Sequence, residues 1–179
     1  NRYDDGKGRE YYIDYILNCT SARQWSLSKF MEYGYDYDNG VWNECPGYGH
    51  SVTHELTKFI SEYDNIFNQN LLPYTPVMRK AVKVMPQYLF PNQLHTAFGD
   101  SYYSVLNTEP IKDRIRLSQK YNNKEDEQTF TALYKLFTPD ADAAGGNARK
   151  PATQVSSFFM GKPLTVDKKI KAGRLEDYV

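Results

Sequence analysis

The chain has 179 residues with 22 basic and 22 acidic side chains, so its formal net charge is zero. That length suits one domain with a sizeable core, and balanced charge leaves no net field to gather nucleic acid or an anionic membrane. Tyrosine is the compositional outlier, at 16 against 9 Phe and 2 Trp; its flat apolar ring and polar tip suit a sugar-binding face, a wet interface or a half-exposed helical core.

The periodicity is helical almost throughout. Tyr12, Ile13, Ile16 and Leu17 share a face between Glu10 and Asn18. Leu27, Phe30 and Met31 follow at i, i+3 and i+4, with Gly34 as a stop. Tyr35 to Gly40 reads as a turn, because Asn39-Gly40 readily accepts positive φ. The clearest helix follows: Val52, Leu56, Phe59, Tyr63, Ile66 and Phe67 form one apolar stripe. His50, His54, Thr57 and Ser61 lie opposite, on a polar face without charge along its centre. Such a face is expected to line a cleft or meet a partner rather than solvent.

Pro73 and Pro76 punctuate the next loop, and Val77, Ala81, Val84, Met85 and Tyr88 form another stripe that Pro86 kinks or ends. Pro91 to Asp100 reads as a loop. Thr108 is expected to cap a helix through about Lys120, and Phe130, Leu133, Tyr134 and Phe137 mark a final helix. Beyond Pro139 the pattern fails. The expected architecture is all-α, built from antiparallel helical hairpins across residues 1–138, with residues 139–179 an irregular linker. Cys19 and Cys45 are too few for a disulfide framework or a four-ligand zinc site. They can pair once, although two free buried thiols are the reading taken here. No apolar run is long enough to span a bilayer. Both ends read as cuts through a longer protein.

Asp38-Asn39-Gly40 followed by Glu44-Cys45-Pro46-Gly47-Tyr48 resembles the "D-G … E-x-x-x-Y" segment of heparinase II/III-like polysaccharide lyases and related alginate lyases. Leu89-Phe90-Pro91-Asn92 and Phe98-Gly99-Asp100-Ser101 resemble that group's "P-(D/N)-G … G-D-S" loop. The resemblance covers roughly residues 10–140 and implies part of an incomplete (α/α) toroid, followed by an antiparallel β-sandwich domain that this chain lacks. It implies β-elimination on an anionic, uronic-acid-containing polysaccharide of the heparin or heparan type, in a secreted or periplasmic bacterial enzyme, without a cofactor. The motif tyrosine is then acid, base or both, which places that role on Tyr48. Glu44, His50, Trp42 and His95 are placed around the sugar.

The chemistry makes definite demands. The C5 proton becomes acidic only when the neighbouring carboxylate is neutralised, and a phenol with its usual pKa near 10 needs nearby cations before it can act as a base at neutral pH. The family takes these groups from an Asn/His segment upstream of the tyrosine and a histidine in the β-domain. No histidine precedes Tyr48 and none follows His95, so the chain alone is expected to be inactive.

Each residue also has a plainer reading. Glu44 is a carboxylate favoured before a helix N-terminus, Trp42 a turn aromatic packed on a neighbouring helix, and His50 an ordinary first-turn residue. Asp100 and Ser101 can simply brace their own loop. His50 and His54, with His95 completing the set, could hold a metal, but the order His-Ser-Val-Thr-His-Glu is not the zinc-protease motif. Two competing classes therefore stand beside the lyase: a non-catalytic helical carbohydrate-binding or scaffold module, and a metal-dependent hydrolase.

Overall fold

The computed structural model describes residues 6–12, 27–91, 93–138, 164 and 166–178. Among the described residues, five α-helices order the fold: α1 (Leu27–Gly34), α2 (Pro46–Phe67), α3 (Val77–Val84), α4 (Glu109–Lys120) and α5 (Lys124–Phe137). The described residues form no strand, only isolated bridges between Tyr35 and Trp42, Leu89 and His95, and Leu94 and Val105. The all-α expectation holds. A helical turn occupies 9–12, while the rest of the helix expected to Asn18, the residue Cys19 and the stretch 139–163 lie outside the described residues. No described helix is long and apolar enough to cross a membrane.

The local signals act where their chemistry requires. Pro46 sits in the first turn of α2, where its missing N–H costs nothing. Asn68 ends that helix in the left-handed conformation at φ 51°. Pro86 converts the end of α3 into a 3-10 turn, Met85–Tyr88. Asn123 caps α5 by accepting from the Asp126 N–H at 3.1 Å. At α4 the expected cap is corrected: the Thr108 side chain caps nothing, and Asn107 Oδ1 accepts from the Glu109 N–H at 3.0 Å.

Helix α2 is the structural axis, and its buried face is the polar one. Gly49, Thr53, Thr57, Ile60, Ser61 and Asp64 are buried, while the apolar stripe through Val52, Leu56, Phe59 and Tyr63 is only partly covered. Ile66 and Phe67, expected at the end of that stripe, are exposed. Small side chains let neighbouring elements approach closely, and Thr53 and Asp64 find partners on other elements. Tyr35 Oη and Thr53 Oγ1 are 2.9 Å apart. Asp64 receives the Tyr121 hydroxyl and pairs with Lys120 at 2.7 Å, which ties α2 to the end of α4.

Two apolar clusters flank α3. Met31, Tyr35, Ile60, Leu71, Val77, Met78, Ala81 and Leu117 form one. Val82, Ile111, Ile115, Phe130, Leu133, Tyr134 and Leu164 form the other. Leu164 thus brings the segment after 163 back against the α4–α5 hairpin. Lys135 Nζ donates to the Asp167 and Ile170 carbonyls, and the Gly173 N–H donates to the Ala132 carbonyl.

The Asp36–Gly40 turn is tightly determined. Asp36 accepts from the Asp38 N–H and the Asn39 amide, and Lys80 Nζ donates to the Tyr37 and Asp38 carbonyls. Gly40 stands at φ +76°, and a Cβ there would lie 2.4 Å from the Lys80 carbonyl carbon. Gly40→Ala is therefore expected to cost about 2–3 kcal/mol, from the forced left-handed backbone and the backbone clash together. Urea unfolding checks this; a loss below about 0.5 kcal/mol, ordinary for a surface site, would contradict it.

Candidate functional site

The turn after α1, the start of α2 and the 3-10 turn after α3 enclose a cleft of ≈ 260 Å³ including its mouth. Trp42, Glu44, Cys45, His50, Met85 and Tyr88 are among its lining residues. Its interior proper is only ≈ 10 Å³, about enough for one water molecule, so this cleft is too small to take a length of polysaccharide.

Its side chains are largely engaged with one another. Trp42 Nε1 donates to Glu44 Oε2 at 2.7 Å, and the indole meets the Tyr35 ring edge-on at 4.9 Å. A Cβ at Gly34 would fall 2.1 Å from Trp42 Cζ3. The indole is thus seated between α1 and α2, the packing role that its plainer reading assigned.

His50 Nε2 lies 3.2 Å from the Met85 carbonyl oxygen, and its ring meets His95 edge-on at 3.5 Å between centroids. His95 is buried, and neither of its ring nitrogens has a hydrogen-bond partner among the described residues. Burial, aided by the neighbouring His95, pushes His50 down to about 3; burial also pushes His95 down to about 4. At neutral pH the pair therefore offers hydrogen bonds but no positive charge. His54 takes no part, because its Nδ1 faces Glu55 at 3.6 Å. Among the described residues no three His, Cys, Asp or Glu side chains are placed together to hold a metal ion.

Tyr48 is not among the cleft's lining residues. It projects from the first turn of α2, 47% exposed, and its hydroxyl donates to Asp100 Oδ2 at 2.9 Å. The residues around Asp100 dock on the same turn: Ser101 Oγ accepts from the Gly47 N–H at 2.8 Å, and Cys45 Sγ donates to the Asp100 carbonyl at 3.1 Å. Cys45 is a buried free thiol, held below the usual thiol range chiefly by the Ser101 hydroxyl. The two segments that carry the family resemblance thus meet in space, and Asp100 and Ser101 bind α2 rather than merely bracing their own loop. Sequence reasoning had left Asp100 outside the site. The G-D-S motif beside the tyrosine motif was the signal that could have placed it there.

The electrostatics of the phenol are one-sided. The Asp100 carboxylate, first as acceptor and then as charge, raises the Tyr48 pKa above its ordinary value, and Glu44 adds to the effect. A base needs the opposite push. In this arrangement the phenol stays protonated at neutral pH, and its exposure leaves it within reach of a large molecule lying on the surface.

A helical scaffold that seats a protonated phenol and a carboxylate on an open face is suited to a domain of a polysaccharide lyase. The family model described as endo-acting ulvan lyase 2nd domain matches residues 38–177, and the chain belongs to that family. The match takes in both motif segments and the docked residues beyond 163. No curated protein and no solved structure matches the chain. The heparinase II/III-like resemblance is carried as far as polysaccharide lyase, and the matching family is the ulvan lyase one.

Proposed function

We propose that this domain presents Tyr48 to an anionic, uronate-bearing polysaccharide of the ulvan type and takes part in its endo-acting β-elimination. The carrying observation is the Tyr48–Asp100 pair on an exposed turn, built from two segments distant in sequence. In the elimination the C5–H bond and the C4–O4 bond break, a C4=C5 double bond forms, and the departing O4 takes up a proton. Tyr48, protonated at neutral pH and positioned by Asp100, turns its O–H from that carboxylate to O4 and donates the proton. The polymer lies across the open turn, because the neighbouring cleft is too small for it.

Two demands of the reaction are left to the rest of the enzyme. The uronate carboxylate must be neutralised and a base must meet C5, yet the groups acting on the phenol are acidic and the buried imidazoles are neutral. The matching family is described as the second domain of endo-acting ulvan lyases, so those enzymes have at least one more domain, which supports assigning these groups to a neighbouring domain of the same protein, a β-sandwich in our reading. Such a domain would close the incomplete (α/α) toroid into a groove. A substrate too large to enter a cell supports a secreted or periplasmic enzyme.

Incubating the full-length protein with ulvan, alginate, heparin and chondroitin tests this reading. Accumulation of ultraviolet-absorbing unsaturated uronate ends is expected from ulvan, with large fragments appearing first as endo cleavage requires. New reducing ends without that absorbance would mean hydrolysis and would end the proposal. Binding without any cleavage would favour the non-catalytic carbohydrate-binding module.

A further inference from the structure

The loop that delivers Asp100 also carries a group of outward-facing aromatics that the proton chemistry does not use. Tyr102 is 78% exposed, Tyr103 65% and Phe98 56%. Phe90 comes alongside, its ring 6.1 Å from that of Tyr103. Large aromatics are rarely left together in water without a purpose.

Their exposure does not come from a loose loop. Beneath them, Leu94 bridges to Val105 and Leu89 to His95. The His95 N–H donates to the Ser104 carbonyl at 2.8 Å, and the Thr96 N–H to the Tyr88 carbonyl at 2.8 Å. On the α2 side, Ser101 and Asp100 are fastened to Gly47 and Cys45. The backbone is thus held at both ends of the aromatic run while its rings point outward, a preorganised face that binds with little further ordering cost.

We propose that Tyr102 and Tyr103, with Phe98 and Phe90 beside them, form a stacking platform for successive sugar rings of the polysaccharide. The inference rests on the lyase reading and extends the same site. Its chemistry selects a glycan. The rings offer flat apolar faces for the C–H side of a pyranose, while the hydroxyls of the exposed Tyr102 and Tyr103 serve the sugar's polar edge. Asp100 is the one charged side chain between Leu94 and Asn107, so little on the platform repels a polyanion. The platform is also continuous with the phenol. Tyr102 follows Asp100 by two residues, so their Cα atoms are at most about 7 Å apart, close enough for one chain of sugars to cover both. An endo-acting lyase must hold a polymer on either side of the bond it breaks, and the platform supplies one such stretch.

The test is affinity electrophoresis of the full-length protein through gels containing ulvan, in a Tyr48→Phe background that slows cleavage of the polymer during the run. Tyr102→Ala/Tyr103→Ala is expected to weaken retardation at least tenfold, with unchanged circular dichroism. Tyr102→Phe/Tyr103→Phe is expected to stay within about threefold, because the stacking faces remain. Unchanged retardation of the alanine variant would overturn the platform while leaving the lyase reading standing. No retardation of the parent protein by any uronate polymer would overturn both. A change of oligomeric state in the alanine variant, with glycan affinity intact, would assign the patch to a second copy of the chain and overturn the platform.

Discussion

Tyr48→Phe is expected to slow elimination by about 10²–10⁴-fold, the usual contribution of a positioned proton donor. That corresponds to about 3–5 kcal/mol in the barrier. The substitution removes one oxygen from a half-exposed ring, so its structural effect is confined to the hydrogen bond with Asp100, a contact worth about 0.5–1.5 kcal/mol on average. The initial rate of unsaturated uronate formation therefore separates chemistry from stability. A variant within tenfold of the parent enzyme would remove Tyr48 from the proton path.

Asp126→Ala is expected to destabilise the domain by about 3–5 kcal/mol, the cost of breaking a buried ion pair from one side. Asp126 accepts from Arg79 Nε at 2.5 Å and from an Arg114 terminal nitrogen at 2.7 Å. Both Asp126 and Arg114 are buried, and the carboxylate joins α3, α4 and α5 at one point. Burial pulls the Arg114 pKa down and Asp126 opposes that pull; without the carboxylate a buried cation is left uncompensated. Arg79 is more exposed and keeps Glu125 at 2.8 Å. Removing both buried partners, as in Arg114→Met/Asp126→Leu, is expected to restore most of the stability, because well-packed apolar residues can replace a buried pair at little cost. Guanidinium unfolding of the single and double variants checks both statements; a single variant within 1 kcal/mol of the parent would contradict the first.

Helix positions and stops were legible because they rest on local chemistry. The Leu27–Gly34 helix, the Asn39-Gly40 turn, the effect of Pro86 and the final helix through Phe137 all follow from residues within a turn of one another. The orientation of α2 was less legible. Its apolar stripe through Val52, Leu56 and Phe59 read as the inner face, yet Thr53, Thr57, Ser61 and Asp64 are the buried positions. Periodicity records hydrophobicity, whereas close helix approach also rewards small side chains and polar groups that find partners inside. Tyr35 supplies one for the Thr53 hydroxyl and Tyr121 one for the Asp64 carboxylate, from distant positions that no local pattern reveals.

The candidate site divides in the same way. Trp42, Glu44 and His50 were expected around one sugar and do line one cleft, but Trp42 and Glu44 hydrogen-bond each other and His50 turns toward His95. Tyr48 stands apart with Asp100. Positions 48 and 50 are neighbours in sequence, but two residues along a helix turn a side chain through about 200°, so a motif read as a string merged two places. The Asp100 contact joins residues 52 apart in sequence, and only the motif resemblance gave a hint of it.

The most direct measurement is a double-mutant cycle on elimination rate with Tyr48→Phe and Asp100→Asn in the full-length enzyme. If Asp100 acts by positioning the phenol, its replacement slows the parent enzyme about tenfold or more and adds nothing once Tyr48 is phenylalanine. An equal loss in both backgrounds would show that carboxylate and phenol work independently, and would contradict the account.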